Sequence, residues 1–287
     1  MRFGLNTGRK LAALAASLIS FCALADADQK LDSTRLVTLG GPVTEIVYAL
    51  GQEGRLVGTD LSSVYPVQAQ ELPSVGYYRR LPPEGVASLN PTLVIASENA
   101  GPPQVLEQLK TLGIPVVMVS DKPSLDSMRQ RVKDVAKVLD VQEKGDEIID
   151  AVFTEMDKVS HKPEKPVTGM TVVLRGGTLL GAGGDTAANL VLESAGVSNV
   201  LSDVQSFRPL SAEIVSALAP EMIVVTTSTV DAMGGLDAVK KSPVLSMTPA
   251  VKNDKVVVLD DLLAQAFGLR LPQAIKTVRD GAFGADQ

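Results

Sequence analysis

Glu84-Gly-Val-Ala-Ser-Leu-Asn-Pro-Thr-Leu-Val-Ile95 returns without a gap as Glu213-Ile-Val-Ser-Ala-Leu-Ala-Pro-Glu-Met-Ile-Val224. Glu, Val, Leu and Pro coincide in register, and the offset of 129 residues is close to half of the 262 residues that follow position 25. In each copy an acidic residue opens a short helical run, Pro closes it, and an apolar stretch typical of a buried strand follows. Two related lobes are therefore expected.

The surrounding sequence repeats this rhythm. Arg35-Leu-Val-Thr-Leu39 reads as a strand stopped at Gly40-Gly41-Pro42, and residues 43–50 read as a helix closed by Gly51. Further strands fall at 56–59, 92–96 and 114–119, with an amphipathic helix at 105–112 ending on Gly113. In the second half, strands are expected at 170–174, 222–226 and 256–259, with a helix at 186–195 closed by Gly196. Alternation of this kind predicts an α/β fold of two lobes with mostly parallel central sheets. Between them, residues 124–160 contain no Pro and only Gly145. Ile148, Ile149, Val152, Phe153 and Met156 share one helical face there. The expected organisation is a lobe over 26–141, one long rigid linking helix over 142–163, a lobe over 164–287, and a ligand cleft between the lobes.

Residues 1–25 read as a secretory signal peptide: Arg2, Arg9 and Lys10, an apolar run too short to span a membrane, and Ala23-Leu24-Ala25 for cleavage after Ala25. Export to a bacterial periplasm is expected, without stable membrane insertion afterwards. Cleavage would also remove Cys22, the one cysteine, which suits an oxidising compartment.

The 287 residues are 45% hydrophobic, 21% charged and 3% aromatic, with a net charge of −6, which argues against nucleic acid as a partner. One His and one Cys leave no material for a His- or Cys-rich metal site, and the absence of Trp removes tryptophan cages. His161 stands beside Lys162 and Lys165 at the end of the linking helix, where a solvated role is ordinary. A secreted hydrolase with a Ser-His-Asp triad would have to use it. Gly176-Gly177 and Gly181-Ala-Gly-Gly184 lack a phosphate-loop lysine and dinucleotide spacing, so they read as turn glycines. The chain reads as a binder, not an enzyme.

The densest chemistry is Ser74-Val-Gly-Tyr77-Tyr78-Arg79-Arg80-Leu-Pro-Pro83, expected in a loop outside the strand ends, where open α/β sheets bind ligands. A tyrosinate is a hard ligand for ferric iron and an established haem ligand type. A neighbouring guanidinium favours the phenolate and pairs with carboxylates such as haem propionates. By themselves these residues are equally compatible with a surface Tyr/Arg turn. Tyr78, adjacent in extended chain, is expected to point away from the side faced by Tyr77.

This loop resembles the haem-ligand loop of the periplasmic haem-binding proteins of bacterial haem ABC importers, whose fold is shared with cobalamin and siderophore carriers. The similarity runs from about Arg35 to Leu271 and includes Gly184-Asp-Thr-Ala-Ala-Asn189, Gly234-Gly235, Thr248-Pro249-Ala250 and the stretch from Asp260-Asp261 to Gly268-Leu-Arg270. The resemblance implies transported haem b, with Tyr77 as axial iron ligand in a five-coordinate ferric site and Arg79 paired with the ligand or a propionate. It implies that Glu84 and Glu213 dock a dimeric inner-membrane permease, and that the carrier is a monomer. Where some members carry a second-lobe His ligand this chain has Arg175. Where many carry an Arg before the Gly-Gly turn it has Ser228, with Met233 as an apolar wall, and Arg270 is a further candidate for propionates. Cobalamin or a ferric siderophore in the same fold is the alternative cargo.

Overall fold

Four short apolar strands, Leu36–Leu39 (β1), Leu56–Thr59 (β2), Leu93–Ser97 (β3) and Val116–Val119 (β4), pair in the order β2-β1-β3-β4, all parallel. Side chains alternate across the sheet. Leu36, Leu93 and Ile95 pack with Val43, Ile46 and Val47 of the helix Gly41–Ala49, while Val37, Leu39, Val94 and Ala96 pack on the opposite face. The computed structural model describes residues 31–160, 162–165 and 167–284; the signal-peptide segment, Cys22 and His161 lie outside the described residues. Among the described residues no helix is long and apolar enough to cross a membrane.

The second sheet contains Val167–Arg175 (β5), Thr178–Ala182 (β6), Val197–Asn199 (β7), Phe207–Pro209 (β8), Met222–Thr226 (β9) and Val256–Leu259 (β10). Its order is β10-β9-β5-β6-β8, with β7 alongside the start of β5. This sheet is mixed, because β6 runs antiparallel to both β5 and β8. Gly176 and Gly177, at φ 56° and 78°, supply the two positive-φ positions of a tight hairpin. Of the nearby glycines Gly181 lies within β6, whereas Gly183 and Gly184 enter a turn in which the Thr186 N–H donates to the Gly183 carbonyl at 3.3 Å. A Cβ on Gly184 would lie 2.0 Å from the Ser202 carbonyl, and one on Gly183 2.1 Å from that of Val204. They allow two chain segments to touch.

The repeated sequence is also repeated in backbone. The helix Pro83–Ala87 leads into β3 and the helix Ala212–Leu218 into β9, and the equivalent residues Asn90 and Ala219 both turn with positive φ, 47° and 44°.

The connection between the lobes is a pair of helices. Leu125–Leu139 ends on Asp140 in the left-handed region, φ 62°, and Gln142–Val159 follows. The first begins against the second lobe's core at Met128 and ends in the first lobe's at Val132, Val135 and Leu139. The second crosses back: Ile148 and Ile149 pack with the first core, Met156 and Val159 with the second, and Phe153 touches both. Gly145 lets the pair approach, since a Cβ there would fall 2.6 Å from that of Ala136.

The segment from Phe267 to Arg270 joins the lobes again. Arg131 Nη1 donates to the Phe267 carbonyl at 2.8 Å, and Arg270 Nε donates to Glu45 Oε1 at 3.3 Å while its guanidinium lies 3.6 Å from the centre of the Tyr65 ring. Gly268 leaves room for Glu45, whose Oε2 would stand 2.6 Å from an added Cβ.

Burial pushes the Glu45 carboxyl above the usual range, against the opposing pull of Arg270 and Arg131. A carboxyl raised by folding binds its proton more tightly in the native state. Its contribution to stability is complete below the ordinary glutamate value of about 4.3 and is lost as pH rises through the raised one. Denaturant unfolding from about pH 4 to 7 should therefore show wild type losing stability relative to Glu45→Gln as pH increases. A difference independent of pH would mean that Glu45 titrates alike in folded and unfolded chains.

Candidate functional site

A cleft of about 980 Å³ lies between the lobes, at the upper end of the range for small-molecule and cofactor sites. The first lobe contributes the N-terminal turn of Gly41–Ala49, the Tyr77 loop and Asp121; the second contributes Arg175, Leu180, Phe207, Gln265 and Phe267.

The tyrosine loop is clamped on both sides. The Thr59 N–H donates to the Pro73 carbonyl at 3.1 Å, Val75 N–H to Thr59 at 2.9 Å, and Leu61 N–H to Gly76 at 2.9 Å, so residues 73–76 ride along the exit of β2. Gly101 N–H donates to the Tyr78 carbonyl and Leu81 N–H to Gly101, each at 2.8 Å. Gly76 sits at φ 97° with the Pro82 ring 2.8 Å from where a Cβ would be, which explains glycine before the tyrosines. Tyr77 is 43% exposed and lines the cleft.

Tyr78 departs from expectation. It is only 7% exposed and packs with Val75 and Leu81, yet it also lines the cleft, with its ring centre 5.2 Å from that of Tyr77 in an edge-on arrangement. A 3-10 turn, Tyr78–Arg80, starts there, so the two-residue alternation of extended chain no longer applies. Arg79 Nε donates to the Tyr78 hydroxyl at 2.8 Å, so its guanidinium is engaged with this phenol rather than with Tyr77. Burial pushes the Tyr78 phenol up, and the hydrogen bond from Arg79 works in the opposite direction.

Across the cleft, Arg175 stands at the end of β5. Its Nη2 donates to Gln265 Oε1 at 2.5 Å and its guanidinium lies 4.2 Å from the centre of the Phe207 ring. A guanidinium is thus present on each wall. On the first lobe, Asp121 accepts from Ser97 at 2.8 Å and Asn99 at 3.1 Å. Tyr78, Asp121, Phe207 and Gln265 come from four separate stretches, and no local pattern marks them as neighbours.

Three expected contacts lie elsewhere. Ser228, in the first turn of the helix Thr227–Met233, donates its hydroxyl to Asp261 Oδ1 at 2.6 Å and its N–H to Asp261 Oδ2 at 2.9 Å. Met233 packs against the second lobe's core with Val230 and Leu236. Arg270 is committed to Glu45 between the lobes. None of the three is part of the cleft lining. Glu84 and Glu213 are both exposed in the first turns of their equivalent helices, and hydrogen bonding from Ser211 holds the Glu213 carboxyl below its usual range. Among the described residues no group of three or more His, Cys, Asp or Glu could hold a bare metal ion.

Comparison with known proteins agrees with this architecture. The periplasmic haem-binding protein RhuT of Roseiflexus sp. RS-1 superposes with a TM-score of 0.84 and 36% identity, over 89% of this chain and 100% of that one. The uncharacterised ABC transporter substrate-binding lipoprotein YvrC of Bacillus subtilis strain 168 is 27% identical over 267 residues, 90% of this chain and 82% of its own. The vitamin B12-binding protein of Yersinia pestis strain Pestoides F is 29% identical over 206 residues, 69% of this chain and 71% of its own. The family model described as periplasmic binding protein matches residues 36–263. With two α/β lobes and a cleft between them, the chain belongs to the periplasmic binding proteins, solute-binding components of ABC transporters rather than enzymes.

Proposed function

We propose that this protein captures haem in the interlobe cleft and delivers it to the dimeric permease of an ABC importer. The observation that carries the reading is the Tyr77 ring, presented into the cleft from a loop clamped on both sides. Ferric iron favours a hard anionic oxygen, and a bound cation drives a coordinating group to its deprotonated form. Tyr77 then binds the iron as a tyrosinate, in a five-coordinate site. Arg79 and Arg175 offer one guanidinium from each lobe to the propionates, and Leu180 and Phe207 give apolar cover to the macrocycle.

The acidic residues Glu84 and Glu213, exposed at equivalent places on the two lobes, suit a partner with basic residues repeated about a twofold axis. Residues 1–25 fit export to the periplasm.

The purified protein mixed with ferric haem should give the high-spin absorption spectrum of tyrosine ligation, unchanged by excess cobalamin or a ferric siderophore. Cobalamin is the competing cargo, favoured by the name of the Yersinia relative. Saturable binding of cobalamin or the siderophore, with no spectral change of haem, would replace haem as the cargo.

A further inference from the structure

We propose that Asp60 is the positioning residue of the tyrosine loop, holding the peptide that aims Tyr77 into the cleft; the proposal rests on the haem reading. Asp60 follows β2, is 2% exposed and is not part of the cleft lining. Its carboxylate takes four donors. Oδ1 accepts from the Gly40 N–H at 2.8 Å and the Ser63 hydroxyl at 2.9 Å; Oδ2 accepts from the Ser62 N–H at 2.9 Å and the Tyr78 N–H at 3.4 Å. Hydroxyl contacts of 2.7 Å continue from Ser63 to Thr44 and from Thr44 to Thr38, so the network is rooted in β1.

A carboxylate withdrawn from water is costly unless its lone pairs are filled, and here backbone and hydroxyl donors fill them. Those donors belong to three pieces of chain: the start of Gly41–Ala49, the exit of β2 and the tyrosine turn. The Tyr78 N–H belongs to the peptide unit between Tyr77 and Tyr78. Fixing that plane restricts the backbone of Tyr77 and the direction of its Cα–Cβ bond, without Asp60 touching the ligand. A phenol that must meet iron within a few tenths of an ångström needs such support from behind.

Asp60→Asn keeps the shape but turns an amide donor toward groups that are themselves donors. The ligand-free variant should remain folded by circular dichroism. Exchange of the Tyr78 amide with deuterium should accelerate about tenfold, while the Leu81 amide, bonded to Gly101, keeps its rate. Haem release should accelerate about tenfold with a shifted tyrosinate band, the range for losing a group that orients a metal ligand. In a Tyr77→Phe background the same change should alter release by less than about twofold, because the oxygen it aims is gone. Ser63→Ala, which removes one donor but leaves the Tyr78 contact, should leave Tyr78 exchange unchanged. If Asp60→Asn does not fold, Asp60→Glu, which keeps the charge and displaces it by one methylene, is read by the same measurements. Unchanged Tyr78 exchange, or effects that multiply in the double variant, would overturn the positioning role while leaving the haem reading intact. Normal haem binding by Tyr77→Phe would overturn both.

Discussion

Replacing Tyr77 by Phe is expected to weaken haem binding by more than about 100-fold, beyond the upper range for losing a group that merely orients a metal ligand. The substitution removes one oxygen and keeps the ring, so the edge-on packing against Tyr78 survives. Arg79 loses no partner, since its hydrogen bond goes to Tyr78. Tyr77 is 43% exposed, and stability should change by no more than about 0.5 kcal/mol. The result is a folded protein with an intact cleft and no tyrosinate spectrum. Haem titration followed by absorbance, beside thermal unfolding of the same sample, checks both halves. A variant that retains the wild-type spectrum would show that another atom holds the iron.

Arg131→Met should have the largest effect on stability. The side chain is 1% exposed in the helix Leu125–Leu139, with Nε 2.5 Å from the Ser120 carbonyl, Nη1 2.8 Å from that of Phe267, and Nη2 3.5 Å from Asp121 Oδ1. Burial lowers its pKa, opposed by Asp121, Glu98 and Glu45. Breaking a buried ion pair from one side costs about 3–5 kcal/mol, here because the Asp121 carboxylate loses its counter-charge and the Ser120 and Phe267 carbonyls lose their donor. For a chain of this size that corresponds to a fall of roughly 10 °C in Tm. Met fills similar volume without charge, so it separates packing from electrostatics. A loss below about 1 kcal/mol would mean that desolvating the guanidinium already cancels its bonds, consistent with the unpartnered hydrogen-bonding capacity of Nη2. Phe267 and Asp121 line the cleft, so the damage should extend to ligand retention.

Most elements of the first lobe were legible before any coordinates. Its four strands are apolar runs bounded by Gly, Pro or a helix, and the structure places them within a residue or two of expectation. Pro115 delays the fourth strand to Val116 because it has no N–H to donate. The second sheet was read less well. Gly176-Gly177 between apolar runs is a hairpin signal, yet the neighbouring glycines drew the whole region into one turn reading. The left-handed Asp140 carries no Gly or Pro marker, and the break there divides the expected single connection into a returning pair.

In the cleft, residue type was legible and pairing was not. Tyr77, Arg79 and Arg175 are legible as a phenol and two cations, whereas the partner of Arg79 depends on where a 3-10 turn begins. Arg270 looked like a group for anions, but Glu45, 225 positions earlier, takes it. Asp60 has local donors in Ser62 and Ser63, but its donors Gly40 and Tyr78, 20 and 18 positions away, leave no local signal.

The order of residues alone determined the α/β class, the two related lobes and the chemistry available to a ligand, because periodicity, chain breakers and functional groups are local properties. Which guanidinium meets which oxygen, and that both phenols line the cleft, was decided only when β1, β2, the tyrosine turn and the segment from Phe267 to Arg270 came together. Hydrogen bonds and buried charges act over about 3 Å, and sequence distance carries no information on that scale.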